Sequence, residues 1–590
     1  MKQFFFIIAL FLAGLSYSQN NFMLGEDYFR QGEYKKAAQI YESLLKKNPF
    51  NTTYLKRLAT CFQETDQYQK AENLLRSTLE RNPAQKYLHV EIGYNYERQQ
   101  KLELAKKEYD IALNAINTNP SLGGIIGRMF RQNNSLDNAI ASYKKTMELN
   151  NNANYQFQIA QIYGEKGDFE KMFDSYIELV NKNENYIGTV QRLSSRYITD
   201  DPTNKNNISL KRSLLRRSIS NPKNVWNELL SWLFAKQKEY SKSFIQEKAL
   251  FKRNPEYLDN MNTLGKIAYN DNDFEAAKEC FSFILKNTNF IDEKVNAELF
   301  LLRIAVKTED DKALNHFEKV LKTYGVNSNT IAIQIEYADF LTFKKNNPTQ
   351  AESVLENALR FSKSKFQQAR IKLKIGEVLV FTGKFNKALI YFSQVQTKLK
   401  NHPLSQQARF KVAQTSYFKG DFKWAMAQLK VLKGSTTQLI ANDAVDLFLV
   451  ISDNEPKDSI PSGLKEYAKA DLLAYQNKDS EALAILKKIH TKYQGFPVED
   501  EALFKEAHIL IKLKKFDEAL LTLAKVVALD PEGILNDDVY YLVAELYNNE
   551  LNMPEKAKEY YQKIIFEYPS SIHLVDARRK YRLLRGDSIN

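Results

Sequence analysis

Turn-forming residues are scarce in this sequence, which has 20 glycines and 14 prolines among 590 residues. These frequencies are about half the usual values of roughly 7% and 5%. A chain so poor in glycine and proline is not expected to form a β-sandwich, a β-barrel or a disordered linker protein. Hydrophobic residues make up 44% of the sequence, which is ample for a packed core.

Groups for metal or catalytic chemistry are also few. The two cysteines, Cys61 and Cys280, exclude a disulfide scaffold and form no CxxC zinc pair. The six histidines are scattered singly, and no HExxH, GxSxG, Walker A or GxGxxG motif occurs. We therefore predict no catalytic, cofactor or metal site and no enzyme activity, and we expect both cysteines to be buried free thiols.

The first eighteen residues have the pattern of a secretory signal peptide. Lys2 precedes an apolar stretch from Phe4 to Leu15, and the small or polar residues Ser16-Tyr17-Ser18 follow. The apolar stretch is shorter than the roughly 20 residues of a membrane-spanning helix. Leu15 stands where a bacterial lipobox would need cysteine, so lipid anchoring there is excluded. We expect cleavage after Ser18, export, and no transmembrane helix in the mature chain.

The net charge is +13, with 84 basic and 71 acidic residues. Acidic residues are interspersed with the basic ones, and an exported protein rarely meets DNA, so nucleic acid is not an expected partner. The positive charge also allows peripheral contact with an anionic envelope surface.

The most informative pattern is a repeat. Leu24-Gly25, Tyr28, Ala37, Tyr41 and Pro49 recur at equivalent offsets, and small anchor residues follow at intervals of 34. The first four anchors are Ala37, Ala71, Ala105 and Ala139. This pattern resembles the tetratricopeptide repeat, a helix-turn-helix unit of 34 residues. The resemblance implies an all-α fold, a superhelical array of such repeats in which each helix pair buries the apolar face of the next.

Residues equivalent to these four anchors recur along the rest of the chain, so the sequence predicts fourteen repeats. The later anchors are Met172, Ser243, Ala277, Ala313, Ala351, Ala388, Ala425, Ala482, Ala519 and Ala557. The gap between Met172 and Ser243 predicts one degenerate repeat. The turn-forming residues between Asp453 and Gly463 predict a linker or hinge.

These observations divide the chain into segments. The predicted segments are a signal peptide (1–18), an N-terminal stack (19–185), a degenerate repeat (186–222), a central stack (223–452), a linker or hinge (453–463) and a C-terminal stack with a final helix (464–590).

Several late repeats open on a proline with a polar residue two positions later, as at Pro403, Pro497 and Pro569. These loops are similar to those of bacterial periplasmic tetratricopeptide proteins of the outer-membrane assembly and Tol–Pal coordinator type. The similarity implies a place in the periplasm, peripheral to the outer membrane.

In the tetratricopeptide family the first helix of each repeat lines a concave groove. The resemblance places these residues there: Phe29, Arg30, Lys56, Tyr94, Arg98, Arg128 and Arg131. Basic and aromatic side chains suit acidic peptides or C-terminal carboxylates, because guanidinium groups bind carboxylates with two parallel hydrogen bonds. The alternative is that these residues form a solvated basic face.

We therefore expect a non-enzymatic scaffold that binds other proteins in the cell envelope, with a role in envelope biogenesis. Two alternatives are open: an accessory component of a secretion or surface-motility machine, and an enzyme hidden in the array.

Overall fold

The computed structural model describes residues 21–255, 258–434, 438–455 and 462–587. It is 79% helical, and the described residues contain no strand. The predicted all-α array of helical hairpins is confirmed. The predicted signal peptide, residues 1–18, lies outside the described residues.

The chain divides into two compact units, and the division falls within α13 (Asn224–Lys236). The first unit comprises residues up to Ile198 together with Lys205–Leu229. Its helices are α1 (21–30), α2 (Tyr34–Lys47), α3 (Thr52–Glu64), α4 (Tyr68–Arg81), α5 (Leu88–Arg98), α6 (Leu102–Thr118), α7 (Gly123–Gln132), α8 (Leu136–Leu149), α9 (Gln156–Glu165), α10 (Phe169–Lys182), α11 (Ile187–Ser194) and α12 (Lys205–Ser220).

The second unit comprises Thr199–Asn204 and Leu230–Asn590. Its helices are α14 (Tyr240–Arg253), α15 (Asp259–Asn270), α16 (Phe274–Asn287), α17 (Ile291–Lys307), α18 (Ala313–Tyr324), α19 (Ile331–Phe343), α20 (Pro348–Phe361), α21 (Lys365–Phe381), α22 (Phe385–Lys398), α23 (Pro403–Lys419), α24 (Phe422–Leu432), α25 (Gln438–Asp453), α26 (Leu464–Tyr475), α27 (Asp479–Lys492), α28 (Val498–Lys512), α29 (Phe516–Leu529), α30 (Asn536–Glu545), α31 (Pro554–Glu567) and α32 (Leu574–Arg585).

The anchor residues lie where the two helices of a hairpin cross. All fourteen predicted anchor positions, from Ala37 to Ala557, are buried. In several repeats a glycine of the first helix faces an aromatic ring of the second, as Gly127 faces Tyr143 and Gly376 faces Phe392. Small residues thus let the two backbones approach while the rings fill the remaining space.

The turn between the two helices has its own repeating feature. Each of the fourteen hairpins carries one residue with a positive φ between its helices, for example Gly32 (φ 75°) and Gln100 (φ 62°). It usually lies five residues before the anchor. The first helix turns back at Gly32. Many of the equivalent residues are not glycine, although side chains with a Cβ disfavour this left-handed conformation.

The segment 186–222 contains α11 and α12. Between Gly167 and Lys238, the described residues include none with positive φ. Ten residues without α-helix join α11 to α12, so this helix pair lacks the short left-handed turn of the other repeats.

Residues 456–461 of the predicted linker lie outside the described residues. One continuous hydrophobic core contains Ile451 on one side of that gap and Leu464 on the other. The core also takes in Tyr467, on the first turn of α26.

Candidate functional site

A cavity of about 610 Å³ lies in the first unit, along three first helices of successive repeats, α3, α5 and α7. Its floor includes the apolar side chains of Leu55, Leu88 and Met129, which are buried between the helices. Its polar lining includes Lys56, Glu91, Tyr94, Arg128 and Gln132. A pocket with an apolar floor and a few convergent polar groups is the usual form of a binding site.

The structure brings three of the seven predicted groove residues together. Lys56, Tyr94 and Arg128 all line this cavity. The other four lie outside its lining. Phe29 is half-buried against Tyr34 and beneath the Arg57 guanidinium, whose central carbon is 4.3 Å from the ring centroid.

Arg30, Arg98 and Arg131 have different surroundings. Arg30 is exposed at the end of α1. Arg98 donates two hydrogen bonds to the Glu64 carboxylate, at 3.0 and 3.3 Å. Arg131 forms an ion pair with Glu165 and donates a hydrogen bond of 2.9 Å to Gln161.

Lys56 also interacts with two other residues of the cavity wall. Its Nζ lies 3.1 Å from Oε1 of Glu91 and donates a hydrogen bond of 2.5 Å to Gln132. Glu91 is only 2% exposed, so this carboxylate depends on Lys56 for its charge compensation. Lys56 therefore supports the wall of the cavity.

Arg128 differs from the other basic residues of the cavity. It is exposed, and no carboxylate of the described residues lies within 4 Å of its guanidinium. Its five N–H donors are therefore available to a carboxylate ligand.

Ion pairs between residues about one repeat apart in the sequence occur in both units. Arg98 and Glu64 are 34 residues apart, as are Arg131 and Glu165. In the second unit a spacing of about one repeat joins Lys374 to Asp339 (2.6 Å), Lys411 to Glu377 (3.2 Å), Lys505 to Asp471 (2.5 Å), Lys512 to Asp479 (2.9 Å) and Lys580 to Glu545 (2.6 Å). Basic residues of adjacent first helices are thus neutralised by the neighbouring repeat.

Sequence reasoning missed Glu91 and Gln132 in the cavity wall. Gln132 is 76 residues from its partner Lys56, which is about two repeats. The signal that identifies Glu91 is an oppositely charged residue about one repeat from a basic residue. Glu91 stands in this relation to Lys56. Ile125 and Met129 were also missed, because an apolar residue on a repeat helix is more often part of the core.

A second cavity, of about 390 Å³, lies along α19, α21 and α23 of the second unit. Its lining includes Arg370, Lys374 and Glu377, none of which the sequence singled out. Burial alone would raise the pKa of Glu377, but the ammonium groups of Lys411 and Lys374 outweigh it and hold that pKa below its usual range. Arg370 is exposed and, among the residues with described positions, has no carboxylate within 4 Å.

Both cysteines are buried, as expected. Burial raises the pKa of the Cys61 thiol to about 12 and raises that of Cys280 as well, so neither is a thiolate near neutral pH. In the described ranges, no three His, Cys, Asp or Glu side chains are arranged to hold a metal ion. The helices found there include none that is both long and apolar enough to span a bilayer.

Comparison with known proteins confirms the repeats. Tetratricopeptide repeat models match residues 28–90, 500–532 and 538–571, so the chain contains such repeats in both units. The TPR repeat-containing protein MJ1428 of Methanocaldococcus jannaschii is 22% identical over 318 residues, which are 50% of this chain and 54% of that protein. The chain thus spans about half the length of this curated relative.

Two of the solved structures similar to the chain are the following. The yeast Tom70 crystal structure aligns over 96% of this chain and 99% of its own, with 15% identity and a TM-score of 0.26. Naa15/Naa10 bound to HypK-THB aligns over 96% of this chain and 97% of its own, with 13% identity and a TM-score of 0.28. These TM-scores are too low to bear on this chain's shape or function.

Proposed function

We propose that this protein is a non-enzymatic scaffold that binds partner proteins through the cavity lined by α3, α5 and α7. The observation that carries the proposal is the exposed, uncompensated Arg128 above an apolar floor shared by three successive repeats. An extended peptide can run across several first helices at once, which a compact ligand cannot.

The expected ligand is an acidic segment or a C-terminal carboxylate. Arg128 offers a planar fork of donors that matches a carboxylate. Lys56 is already committed to Glu91, so a ligand carboxylate is expected to meet Arg128 first. Apolar side chains of the ligand would rest on Ile125 and Met129.

The proposed setting is the bacterial periplasm, at the periphery of the outer membrane, with a role in envelope biogenesis. The signal-peptide pattern of residues 1–18 and the proline-containing loops of the late repeats support this part of the proposal. Intact-mass measurement of the natively expressed protein is expected to give an N-terminus at Gln19. Retention of Met1 would overturn the assignment to the periplasm.

The binding surface is tested by site-specific photocrosslinking in native cells. A photoreactive residue at position 94 lies in the cavity, whereas one at the exposed Lys46 of α2 is the matched control. We expect a defined protein adduct from position 94 and none from position 46. Equal adducts from both positions would show that partners do not use this cavity.

A further inference from the structure

A separate cavity, of about 420 Å³, lies in the first unit. Its lining comes mainly from α8, α9, α10 and α12 and does not overlap that of the α3–α5–α7 cavity. The intervening helix α11 has only eight residues, and α12 packs against α10. The recess therefore lies where the degenerate repeat packs against the preceding hairpin.

Four basic side chains line this recess: Lys144, Lys171, Arg216 and Arg217. Two acidic residues, Asp174 and Glu178, accompany them. Two further carboxylates, Asp168 and Glu170, pair with Lys171 and Arg216 from outside the lining.

Three of the four cations have carboxylate partners, at different distances. Lys171 is bonded to Asp168 at 2.8 Å, and Arg217 is paired with Glu178. The Arg216 guanidinium lies 3.6 Å from Glu170 and 3.7 Å from Asp174, which is beyond hydrogen-bond distance.

Lys144 is exposed on α8, and within the described part of the chain no carboxylate lies within 4 Å of its Nζ. Lys144 can therefore turn its donors to a ligand, and Arg216 can do so by giving up its two long ion pairs with Glu170 and Asp174.

A buried hydroxyl points to the same recess. Ser213 lines the cavity and is only 3% exposed, and its Oγ finds no hydrogen-bond partner among the described residues. A buried polar group without a partner is costly in a folded protein, and such groups usually bind a ligand, a water or an ion. Ser213 is thus an independent indication of a polar occupant.

We propose that this recess binds a phosphoryl-bearing anion. A phosphoryl group carries up to two negative charges and several acceptor oxygens, which match one lysine, one arginine fork and one hydroxyl donor. The apolar side chains of Ile159 and Ile177 would contact the rest of the ligand. The phosphoryl group can belong to a free metabolite or to a lipid headgroup. This proposal does not depend on peptide binding at the other cavity.

The test uses the full mature chain and two probes. Sodium pyrophosphate is titrated calorimetrically at low salt, and vesicles of phosphatidylglycerol are compared with vesicles of phosphatidylcholine by co-sedimentation. The variants are Lys144→Gln and Ser213→Ala, and the control is Lys145→Gln. Lys145 is adjacent to Lys144 on α8 but does not line the recess.

Both test variants are expected to fold. Lys144 is exposed, and the Ser213 hydroxyl makes no hydrogen bond within the described structure that Ala would remove. We expect Lys144→Gln and Ser213→Ala each to weaken binding of the probe about fivefold or more, because each removes one charge-assisted hydrogen bond. Lys145→Gln should bind the probe as tightly as the wild-type chain does. Variant-sensitive binding of pyrophosphate identifies a free phosphate ligand, and variant-sensitive binding of phosphatidylglycerol vesicles alone identifies a lipid headgroup.

Two results would overturn the proposal. One is that neither probe binds the wild-type chain at millimolar concentration. The other is that Lys145→Gln weakens binding as much as Lys144→Gln, because the effect would then come from general surface charge.

Discussion

Gly93 and Tyr109 are in direct contact across the hairpin of α5 and α6. A Cβ atom at Gly93 would lie 2.4 Å from Cε1 of Tyr109, whose hydroxyl donates a hydrogen bond of 2.5 Å to Glu97. The ring is thus held from both sides and cannot move away without losing that bond. The same spacing of sixteen residues joins Gly127 to Tyr143.

Gly93→Ala is therefore expected to lower the free energy of unfolding by about 1–3 kcal/mol, because the added methyl overpacks the crossing. Gly188→Ala is the matched control. Gly188 also lies in a helix, but a Cβ atom there would meet no described atom within 4 Å, so alanine should add about 0.5–1 kcal/mol through helix propensity. Urea unfolding followed by far-UV circular dichroism measures both. Equal effects of the two changes would refute the packing explanation.

Sequence alone identified this contact only in part. The anchor alanines and aromatic residues recur at a fixed period, so the hairpins and their crossing points could be predicted. The left-handed turn residues could not, because Gln100, Lys238 and Lys514 carry no local preference for that conformation and the surrounding hairpin imposes it. Charge compensation was missed for another reason: each partner lies a full repeat away, as Glu64 does from Arg98.

Lys514 provides a test of the turn geometry. It has φ 58° between α28 and α29, a conformation that glycine adopts without steric cost. Lys514→Gly is expected to raise the free energy of unfolding by about 0.5–1 kcal/mol, partly offset by the greater entropy of the unfolded chain. The reverse change, Gly383→Ala at an equivalent turn with φ 73°, should lower it by about 1 kcal/mol. Stabilisation by both changes would contradict the assigned backbone conformation.

Glu501 makes the stability of the second unit depend on pH. Burial raises its pKa from 4.5 to about 7, and the carboxylates of Asp500, Asp453, Asp446 and Asp538 act in the same direction. The folded chain therefore holds this proton more tightly than the unfolded chain. The resulting stability is fully present below about pH 4.5 and is lost as the pH rises through about 7.

Glu501→Gln should remove this dependence. Between pH 5 and pH 8 the wild-type free energy of unfolding is expected to fall by about 1–3 kcal/mol more than that of the variant. Urea titrations at both pH values measure the difference. Glu532→Gln, at an exposed position, is the control and should follow the wild type. A variant whose pH profile overlays the wild-type profile would show that Glu501 is ionised throughout.

Replacing Arg128 and Arg98 by alanine should have different effects on the affinity for the partner. With a partner recovered by crosslinking, Arg128→Ala is expected to weaken binding by about 1–2 kcal/mol and to flatten its dependence on salt. Arg98→Ala should change affinity little, because its guanidinium is bonded to Glu64, and should instead lower stability by up to about 1 kcal/mol. Calorimetric titration at two salt concentrations measures affinity. If Arg98→Ala weakened binding and Arg128→Ala did not, the anion would bind near Arg98 and not in the α3–α5–α7 cavity.

The Lys56–Glu91 pair allows structural and binding roles to be separated. Lys56→Met leaves the buried Glu91 carboxylate without its cation, so the free energy of unfolding is expected to fall by about 1–3 kcal/mol. Adding Glu91→Gln removes the uncompensated charge and should restore much of the lost free energy of unfolding. A double-mutant cycle measures this restoration as a coupling energy between the two side chains. Additive effects would mean that the two side chains act independently. Because Glu91 also lines the cavity, the affinity of the double variant is compared with that of Glu91→Gln alone. Equal affinities would identify Lys56 as a support of the cavity wall.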